Sequence, residues 1–185
     1  MPFIDFTNAP WKPEAKCPED IPIELRAMIL DHGSLTARLK KQHNNEFFVQ
    51  LVQQGWDEPT DSEKAFLNTE DTRANIREVI LHGSGQPQVF ARSVLPQGSL
   101  TGKNKALLEL GSQPLGEYIF NQPQLTRGPI EIAKLPASQF NPYLCFDYDQ
   151  EVAWGRRSLF YLNHKAISVC EVFLPARFSR HKGIA

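Results

Sequence analysis

The sequence predicts an α+β protein built on a single antiparallel sheet of about five or six strands, with helical segments inserted between its hairpins. Apolar segments of strand length follow one another across short turns at residues 83–85 and 163–165. Short helical patterns lie between these hairpins. With 185 residues, 41% of them hydrophobic and 22% charged, the chain suits one domain with a sizeable core.

The first part of the chain predicts two helices followed by a strand. Residues 21–31 have a moderate helical pattern that ends near Gly33. Ser34 is suited to cap a second short helix through residue 41, which would place the Leu35 backbone N–H at a helix start, a suitable position for binding an anion. Residues 46–53 have the composition of a strand. The polar stretch 54–72 is expected to form a surface loop with a helical turn.

The rest of the chain predicts the remaining strands and two short helical pieces. Strands at 75–81 and 87–95 form a hairpin around the turn at 83–85. Residues 105–110 have helical propensity that stops at Gly111, and residues 114–120 form another short helix with Pro114 at its start. A strand at 129–133 precedes an irregular stretch at 135–152. Strands at 158–162 and 166–174 form the last hairpin.

Three segments make up the predicted domain organisation. Residues 1–20 contain four prolines with little periodicity, which indicates an irregular N-terminal arm. Residues 21–176 are expected to form the single domain. Residues 177–185 form a basic C-terminal tail, for which the sequence predicts fraying and no binding role.

The composition argues against several functional classes. A formal net charge of −1 provides no basic surface for nucleic acid. No apolar run approaches the roughly 20 residues of a membrane helix, and the N-terminus lacks the pattern of a signal peptide. Three distant cysteines and five scattered histidines favour neither a disulfide framework nor a metal site. We therefore expect a cytoplasmic protein without a metal, and because the sequence shows no heptads or obvious apolar patch, a monomer.

Ionisable residues at apolar positions of two predicted strands are the candidates for chemistry. Glu171 is the only charge on its strand face, between Val169 and Phe173. Arg77 and Glu78 lie on opposite faces of another strand, and because both faces have buried character, each side chain needs a partner inside the protein. Two interpretations remain open. One is a structural ion pair; the other is a closed pocket in which Arg77 binds a carboxylate and Glu171 engages a hydroxyl or moves a proton.

Nine short motifs within residues 34–176 carry a resemblance to a known family. In chain order they are SLT at 34–36, RE at 77–78, RSVLP at 92–96, LTG at 100–102, PLG at 114–116, LTR at 125–127, IE at 130–131, WGRR at 154–157 and EVFLP at 171–175. No single motif is diagnostic, but nine in this order are specific. The sequence resembles the chorismate pyruvate-lyases, which make 4-hydroxybenzoate for ubiquinone synthesis. The resemblance implies that helical flaps cover an internal pocket.

The resemblance also implies roles for four positions. Arg77 would hold the ring carboxylate of substrate and product, and Glu171 would face the oxygen that becomes the phenol. Leu35 and Leu115 would contribute backbone N–H groups from two flaps. The implied reaction eliminates pyruvate from chorismate, and because aromatisation drives it, no cofactor is required. Whether Glu171 is a general base, or the hydrogen passes within the substrate, stays open.

Five further charged residues have weaker claims to a role in the site. Arg127, Arg156 and Arg157 are secondary candidates for binding the second carboxylate of chorismate, although structural pairing is favoured for each. Glu78 and Glu131 are expected to be partners within the sheet.

An alternative function is a non-catalytic domain that binds or senses a small aromatic acid, because the same fold serves as a sensor in some bacterial transcription regulators. Only about 30 residues precede Ser34, too few for the DNA-binding module of such regulators. Residues 134–153 are longer than the usual connection in the family. They are expected either to roof the pocket or to decorate the surface.

Overall fold

The protein is built around one antiparallel sheet, seen here in a computed structural model that describes residues 3–6 and 8–176. The strand order is β1-β5-β6-β7-β4-β3-β2. The strands are β1 (Lys12–Pro13), β2 (Phe48–Asp57), β3 (Ala74–Gly83), β4 (Gln86–Pro96), β5 (Thr126–Pro136), β6 (Val152–Leu162) and β7 (Lys165–Phe173). The predicted α+β class is confirmed, with six long strands and a two-residue strand at one edge of the described sheet.

Helices are inserted between these strands. The α-helices of the described chain are α1 (Ile23–Ile29), α2 (Leu35–His43), α3 (Asp61–Leu67) and α4 (Leu115–Phe120). Short 3-10 helices lie at Glu14–Lys16, Asn44–Glu46, Gln97–Ser99, Gly102–Glu109 and Ala137–Tyr143. The sequence predictions of α1, α2 and α4 are confirmed.

Two regions have more regular structure than the sequence predicts. Where the sequence predicts a surface loop with a helical turn at 54–72, β2 continues to Asp57 and the helical part is a regular α-helix, α3. A capping box stabilises α3, because the Thr60 hydroxyl accepts from Glu63 N at 3.3 Å and the Glu63 carboxylate accepts from Thr60 N at 3.0 Å. Strand β6 begins at Val152, well before the predicted start, because pairing with β5 extends it beyond its own apolar pattern.

The sheet has two covered faces. The flap face carries Val79 and Val169 and is covered by α1, α2 and α4. The arm face carries Ile80 and Val172 and is covered by α3, the N-terminal arm and residues 137–148. Strands β3 and β4 are buried on both faces along most of their length. Side chains at successive positions of these strands therefore enter two different interiors.

The N-terminal arm takes part in the sheet and in the core. Although the sequence predicts an irregular arm, β1 lies within it and pairs with β5. Ile4 and Phe6 are buried against the arm face. The backbone N–H of Ile4 donates to Glu78 Oε1 at 2.8 Å, which satisfies part of a buried carboxylate. The basic tail predicted at 177–185 lies outside the described residues.

Within the stretch 134–153, which was expected to roof the pocket or decorate the surface, residues 137–148 form a core layer on the arm face instead. Phe140 and Tyr148 are both buried in the core of that face. The Asn141 side chain donates to Tyr148 O and accepts from Tyr148 N, both at 2.8 Å. The Tyr148 hydroxyl donates to Pro175 O at 2.8 Å. These bonds satisfy the buried polar groups of an irregular segment and let it serve as a core layer.

Candidate active site

A pocket lies between the flap face of the sheet and helices α2 and α4. Strands β3, β4 and β7 supply its floor, and Leu35, Leu115 and Gly116 belong to its roof. Its wall is largely apolar, and it includes Phe120 and Phe160 in edge-to-face contact with ring centroids 5.7 Å apart. The empty volume, including the open mouth, is about 490 Å³. A largely apolar lining with a few polar groups is the usual make-up of a small-molecule site.

All four residues that the sequence singles out line this pocket. On the flap face, Arg77 on β3 lies opposite Ser93 on β4, which lies opposite Val169 on β7. Glu171 lies opposite Ala91, one side-chain row further along. At ordinary strand spacing this register puts about 12 Å between the Cα atoms of Arg77 and Glu171. The two charged side chains therefore stand at opposite ends of the pocket floor.

Arg77 is a buried cation that forms no ion pair with the described residues. It is 1% exposed, and its Nη2 donates to the carbonyl oxygens of Gly111 at 2.8 Å and Gln113 at 2.9 Å. Its Nε is buried without a hydrogen-bond partner in the described part of the chain. Burial lowers the pKa of Arg77 to about 10. An anion entering the pocket would meet a desolvated guanidinium with an unused donor.

Glu171 stands at the other end of the pocket floor. Its Oε2 accepts a hydrogen bond from Arg156 Nε at 2.6 Å, and its side chain is 15% exposed. Its Oε1 is not bonded to any described residue. The carboxylate therefore has one oxygen fixed by the protein and one available as an acceptor in the pocket.

Helices α2 and α4 bring their N-termini to the roof of the pocket. α2 begins at Leu35, after Ser34, whose hydroxyl accepts from Ala37 N at 3.2 Å. α4 begins at Leu115, directly after Pro114. The first N–H groups of a helix have no partner inside the helix, so both starts present donors where the pocket closes. The predicted position of both leucines at helix starts is confirmed.

The flaps meet closely along a line that we call the flap seam, formed by Thr36 and Lys40 of α2 and by Gly116 and Glu117 of α4. A side chain at Gly116 would place its Cβ 2.7 Å from Thr36 Oγ1, so the approach requires glycine. Lys40 Nζ donates to Glu117 Oε2 at 2.6 Å, with side chains 44% and 50% exposed. A close approach and an exposed ion pair thus join the two flaps.

Comparison with known proteins assigns the family. A family model described as chorismate lyase matches residues 6–183. The chain belongs to the chorismate lyase family. A probable chorismate pyruvate-lyase from Psychromonas ingrahamii is 38% identical over 151 residues, which cover 80% of this chain and 81% of that protein. The chorismate pyruvate-lyase of Hamiltonella defensa is 34% identical over 158 residues, which cover 85% of this chain and 81% of that protein. The resemblance found in the sequence is confirmed.

A solved structure shows that the fold of this chorismate lyase family member also occurs in transcription regulators. The chain is similar to the ligand-binding domain of a putative GntR-family transcriptional regulator from Bordetella bronchiseptica, with a TM-score of 0.53 and 12% identity. The match covers 77% of this chain and 92% of the solved one. At that identity the likeness shows the fold alone.

The three secondary arginines do not line the pocket of this chorismate lyase family member. Arg127 donates to main-chain carbonyls of the α1–α2 turn and to a hydroxyl on β6, and burial lowers its pKa to about 10. Arg156 pairs with Glu171. Arg157 lies on the arm face and pairs with Glu131. The structural pairing that the sequence favoured is found for Arg156 and Arg157.

Glu78 has structural partners on the arm face, as expected. Its Oε1 accepts from Arg92 Nη1 at 3.0 Å, and its Oε2 accepts from Gln53 Nε2 at 2.6 Å. Arg92 also donates to both oxygens of Glu63, at 2.7 and 3.0 Å. Although burial alone would lower the pKa of Arg92, the two carboxylates raise it above its ordinary value. The buried ion pair therefore forms on the arm face and leaves Arg77 out.

Two hydroxyl residues of the pocket were not singled out by the sequence analysis. Ser93 is 3% exposed and lies on the pocket floor beside Arg77, and Thr36 is 5% exposed in the roof. The alternation of β4 carries the signal for Ser93, because it is a polar residue between Ala91 and Leu95 on one face. The same rule drew attention to the glutamate of β7.

Residues 3–6 and 8–176 contain neither a metal site nor a membrane-spanning helix. That part of the chain contains no group of three or more His, Cys, Asp or Glu residues that could hold a metal ion. None of its helices combines the length and apolarity needed to cross a membrane. Cys170 is buried on the arm face, and burial raises the pKa of its thiol. It therefore lies on the opposite side of the sheet from Glu171.

Proposed function

We propose that this chain is a chorismate lyase, which eliminates pyruvate from chorismate to give 4-hydroxybenzoate. One observation carries the proposal beyond family membership. In a largely apolar pocket, Arg77 is buried with no carboxylate partner among the described residues, and it faces Glu171 across the pocket floor. A ligand with a carboxylate at one end and a hydroxyl at the other would complete both sites.

In this proposal Arg77 binds the ring carboxylate of chorismate. Its unused Nε donor and its pKa lowered to about 10 both indicate a guanidinium that an anion would stabilise. The first N–H groups of α2 and α4, at Leu35 and Leu115, bind polar groups of the enolpyruvyl side chain from above. The closed flaps exclude water, which strengthens these electrostatic contacts.

Glu171 engages the C4 hydroxyl, which becomes the phenol of the product. During the reaction the C4–H bond and the bond between C3 and the ether oxygen break, the ring becomes aromatic, and the enolpyruvyl group leaves as pyruvate. The proton from C4 has two possible acceptors: Glu171, or the methylene carbon of the enolpyruvyl group itself. Because aromatisation supplies the driving force, the elimination requires neither a redox cofactor nor a metal.

We also propose a cellular setting for the activity. The product would enter ubiquinone biosynthesis, and the protein would act as a monomer in the cytoplasm. The exposed free thiol of Cys145 supports a reducing compartment.

The test is an assay of the purified protein with chorismate, in which 4-hydroxybenzoate is measured by its absorbance and pyruvate by a coupled enzyme. Equal amounts of both products are expected. Arg77→Met should lower kcat/KM by about 100- to 1000-fold, because the substrate carboxylate loses its buried counter-charge. Glu171→Gln should lower kcat by about 100- to 10,000-fold if Glu171 accepts the proton, and by about tenfold if it only orients the hydroxyl.

Glu131→Gln is the matched control for Glu171→Gln. Glu131 also pairs with an arginine of β6, but on the arm face, so its change should leave kcat within about twofold. Tight binding of 4-hydroxybenzoate without turnover would support the alternative of a non-catalytic binding domain. The absence of both turnover and binding would overturn the proposed function.

A further inference from the structure

Arg156 is a fully buried arginine that touches Glu171 without lining the pocket. It is 1% exposed, lies directly opposite Glu171 in the β6–β7 ladder, and donates from Nε to Glu171 Oε2 at 2.6 Å. This bond occupies one carboxylate oxygen and restricts the side chain to one orientation. The other oxygen then has a fixed position relative to the pocket floor.

The other end of the Arg156 guanidinium binds the C-terminal end of helix α1, which precedes the flap helix α2. Its Nη1 donates to the carbonyl oxygens of Met28 at 2.8 Å, Ile29 at 3.2 Å and Asp31 at 2.7 Å. These carbonyls lie at the C-terminal end of α1, where a helix leaves acceptors unsatisfied and favours a cation. One guanidinium therefore joins a sheet residue to the main chain of α1.

The segment that Arg156 holds leads directly into the roof of the pocket. A short turn connects the end of α1 to Ser34, the N-cap of α2, and α2 begins with Leu35. Asp31, one of the carbonyl acceptors, also accepts from Gly33 N through Oδ1 at 2.8 Å, which fixes the turn. Arg156 therefore contacts both Glu171 and the segment that leads into the α2 roof, a turn to which Arg127 also donates.

The neighbouring arginine offers a contrast. Arg157 is mostly buried and pairs with Glu131, also at 2.6 Å, but on the arm face. Its Nη1 donates to the Ser62 hydroxyl at 2.9 Å, near the start of α3. The two ion pairs have similar chemistry. Of these two pairs, the one formed by Arg156 includes a residue of the pocket, Glu171, and the one formed by Arg157 does not.

We propose that Arg156 is a positioning residue for the elimination. It orients Glu171 and couples this carboxylate to the end of α1 and, through the turn that follows, to the flap helix α2. The inference rests on the proposed function. Arg156 does not contact the substrate, so its loss should lower kcat more than it raises KM. Its effect should also depend on the presence of the Glu171 carboxylate.

The experiment is a double-mutant cycle with Arg156→Gln and Glu171→Gln, measured with chorismate, and with Arg157→Gln as the matched control. Arg156→Gln should lower kcat by about 10- to 100-fold, because a small displacement of a reacting group is costly. In the Glu171→Gln background the same change should lower kcat by less than about twofold, because the two residues act as a unit. Arg157→Gln should leave kcat within about twofold.

Thermal unfolding of each variant separates positioning from a general loss of structure. If Arg156→Gln does not fold, the same cycle is run with Arg156→Lys, which keeps the charge but cannot hold both partners at once, and kcat should fall by about tenfold. Wild-type kcat in a folded Arg156 variant, or an equal loss with and without the Glu171 carboxylate, would overturn the inference alone. Wild-type protein that neither turns over chorismate nor binds 4-hydroxybenzoate would overturn the proposed function and the inference together.

Discussion

Arg77 and Arg92 lie on adjacent strands and are equally buried, at 1% and 2% exposure, but they enter opposite faces of the sheet. On the arm face Arg92 binds the carboxylates of Glu63 and Glu78, which raise its pKa. On the flap face Arg77 binds two main-chain carbonyls, and burial lowers its pKa to about 10. The charge of Arg92 is therefore neutralised by carboxylates of the protein, whereas the charge of Arg77 has no counter-charge among the described residues.

The covers of the two faces differ in the same way. Helix α3 is fixed to the arm face because its Glu63 forms two hydrogen bonds with the buried Arg92. The flaps α2 and α4 are joined by the exposed pair of Lys40 and Glu117. A buried ion pair that is complete within the protein resists opening, whereas an uncompensated cation beneath two flaps that an exposed ion pair joins to each other is suited to bind and release an anion.

The largest expected effect is on stability, and it separates the two arginines. Arg92→Met should lower the free energy of unfolding by about 3–5 kcal/mol, because it leaves two buried carboxylates without their counter-charge. Arg77→Met should change it by less than about 1 kcal/mol, because removal of an uncompensated buried charge offsets the loss of two hydrogen bonds to carbonyls. Urea denaturation followed by tryptophan fluorescence measures both values.

A glutamine variant of one of the two carboxylates checks the cause. Glu78→Gln should destabilise the protein less than Arg92→Met, because Glu63 still pairs with Arg92 in that variant. Equal destabilisation by Arg77→Met and Arg92→Met would contradict the comparison, since it would mean that Arg77 is as much a structural residue as Arg92.

Much of this site could be predicted from the sequence because strand periodicity is a local property. Alternation places Arg77 and Glu78 on opposite buried faces and Glu171 on an apolar face, and the structure has the same arrangement. The cap at Ser34 is also a local signal, since its hydroxyl needs only the next turn of the chain. The family resemblance then selected one of two interpretations that periodicity left open.

Partner choice could not be predicted, because it depends on contacts between distant segments. Glu78 bonds with Arg92, 14 residues away, and with the backbone of Ile4, 74 residues away. Arg156 reaches the end of α1 across 125 to 128 residues. The packing of residues 137–148 against the arm face has the same cause, since their aromatic side chains could equally have covered another apolar surface of the sheet. Local pattern identifies which residues need partners, and topology decides which partners they receive.

A second prediction uses the lowered pKa of Arg77 to test its role as an anion site. Benzoate is a suitable ligand because its carboxylate stays ionised throughout the alkaline range. Because the carboxylate binds the charged guanidinium, its affinity should be constant from pH 7 to 9 and should fall by up to tenfold per pH unit above about pH 10. Isothermal titration calorimetry between pH 7 and 11 measures the change.

Arg77→Met provides the control for this titration. Arg127 also has a pKa lowered to about 10, so the pH dependence must be assigned by removal of Arg77. The variant should bind benzoate weakly at every pH, without the alkaline fall. A fall of the same size in Arg77→Met would assign the titrating group elsewhere and would remove Arg77 from the anion site.

The smallest expected effect concerns the flap seam, and it tests whether the cover of the pocket is the weaker of the two. Glu117→Gln breaks the pair with Lys40 and should speed the dissociation of 4-hydroxybenzoate by about two- to fivefold, because an exposed ion pair contributes at most about 1 kcal/mol. Since salt screens exposed charges, added salt should speed dissociation from the wild type and have little effect on the variant. Stopped-flow displacement measures both rates.

Glu58→Gln, which breaks an exposed pair with Lys64 of α3, is the control and should leave dissociation unchanged. Equal acceleration by the two variants would show that surface charge in general, and not the flap seam, governs release.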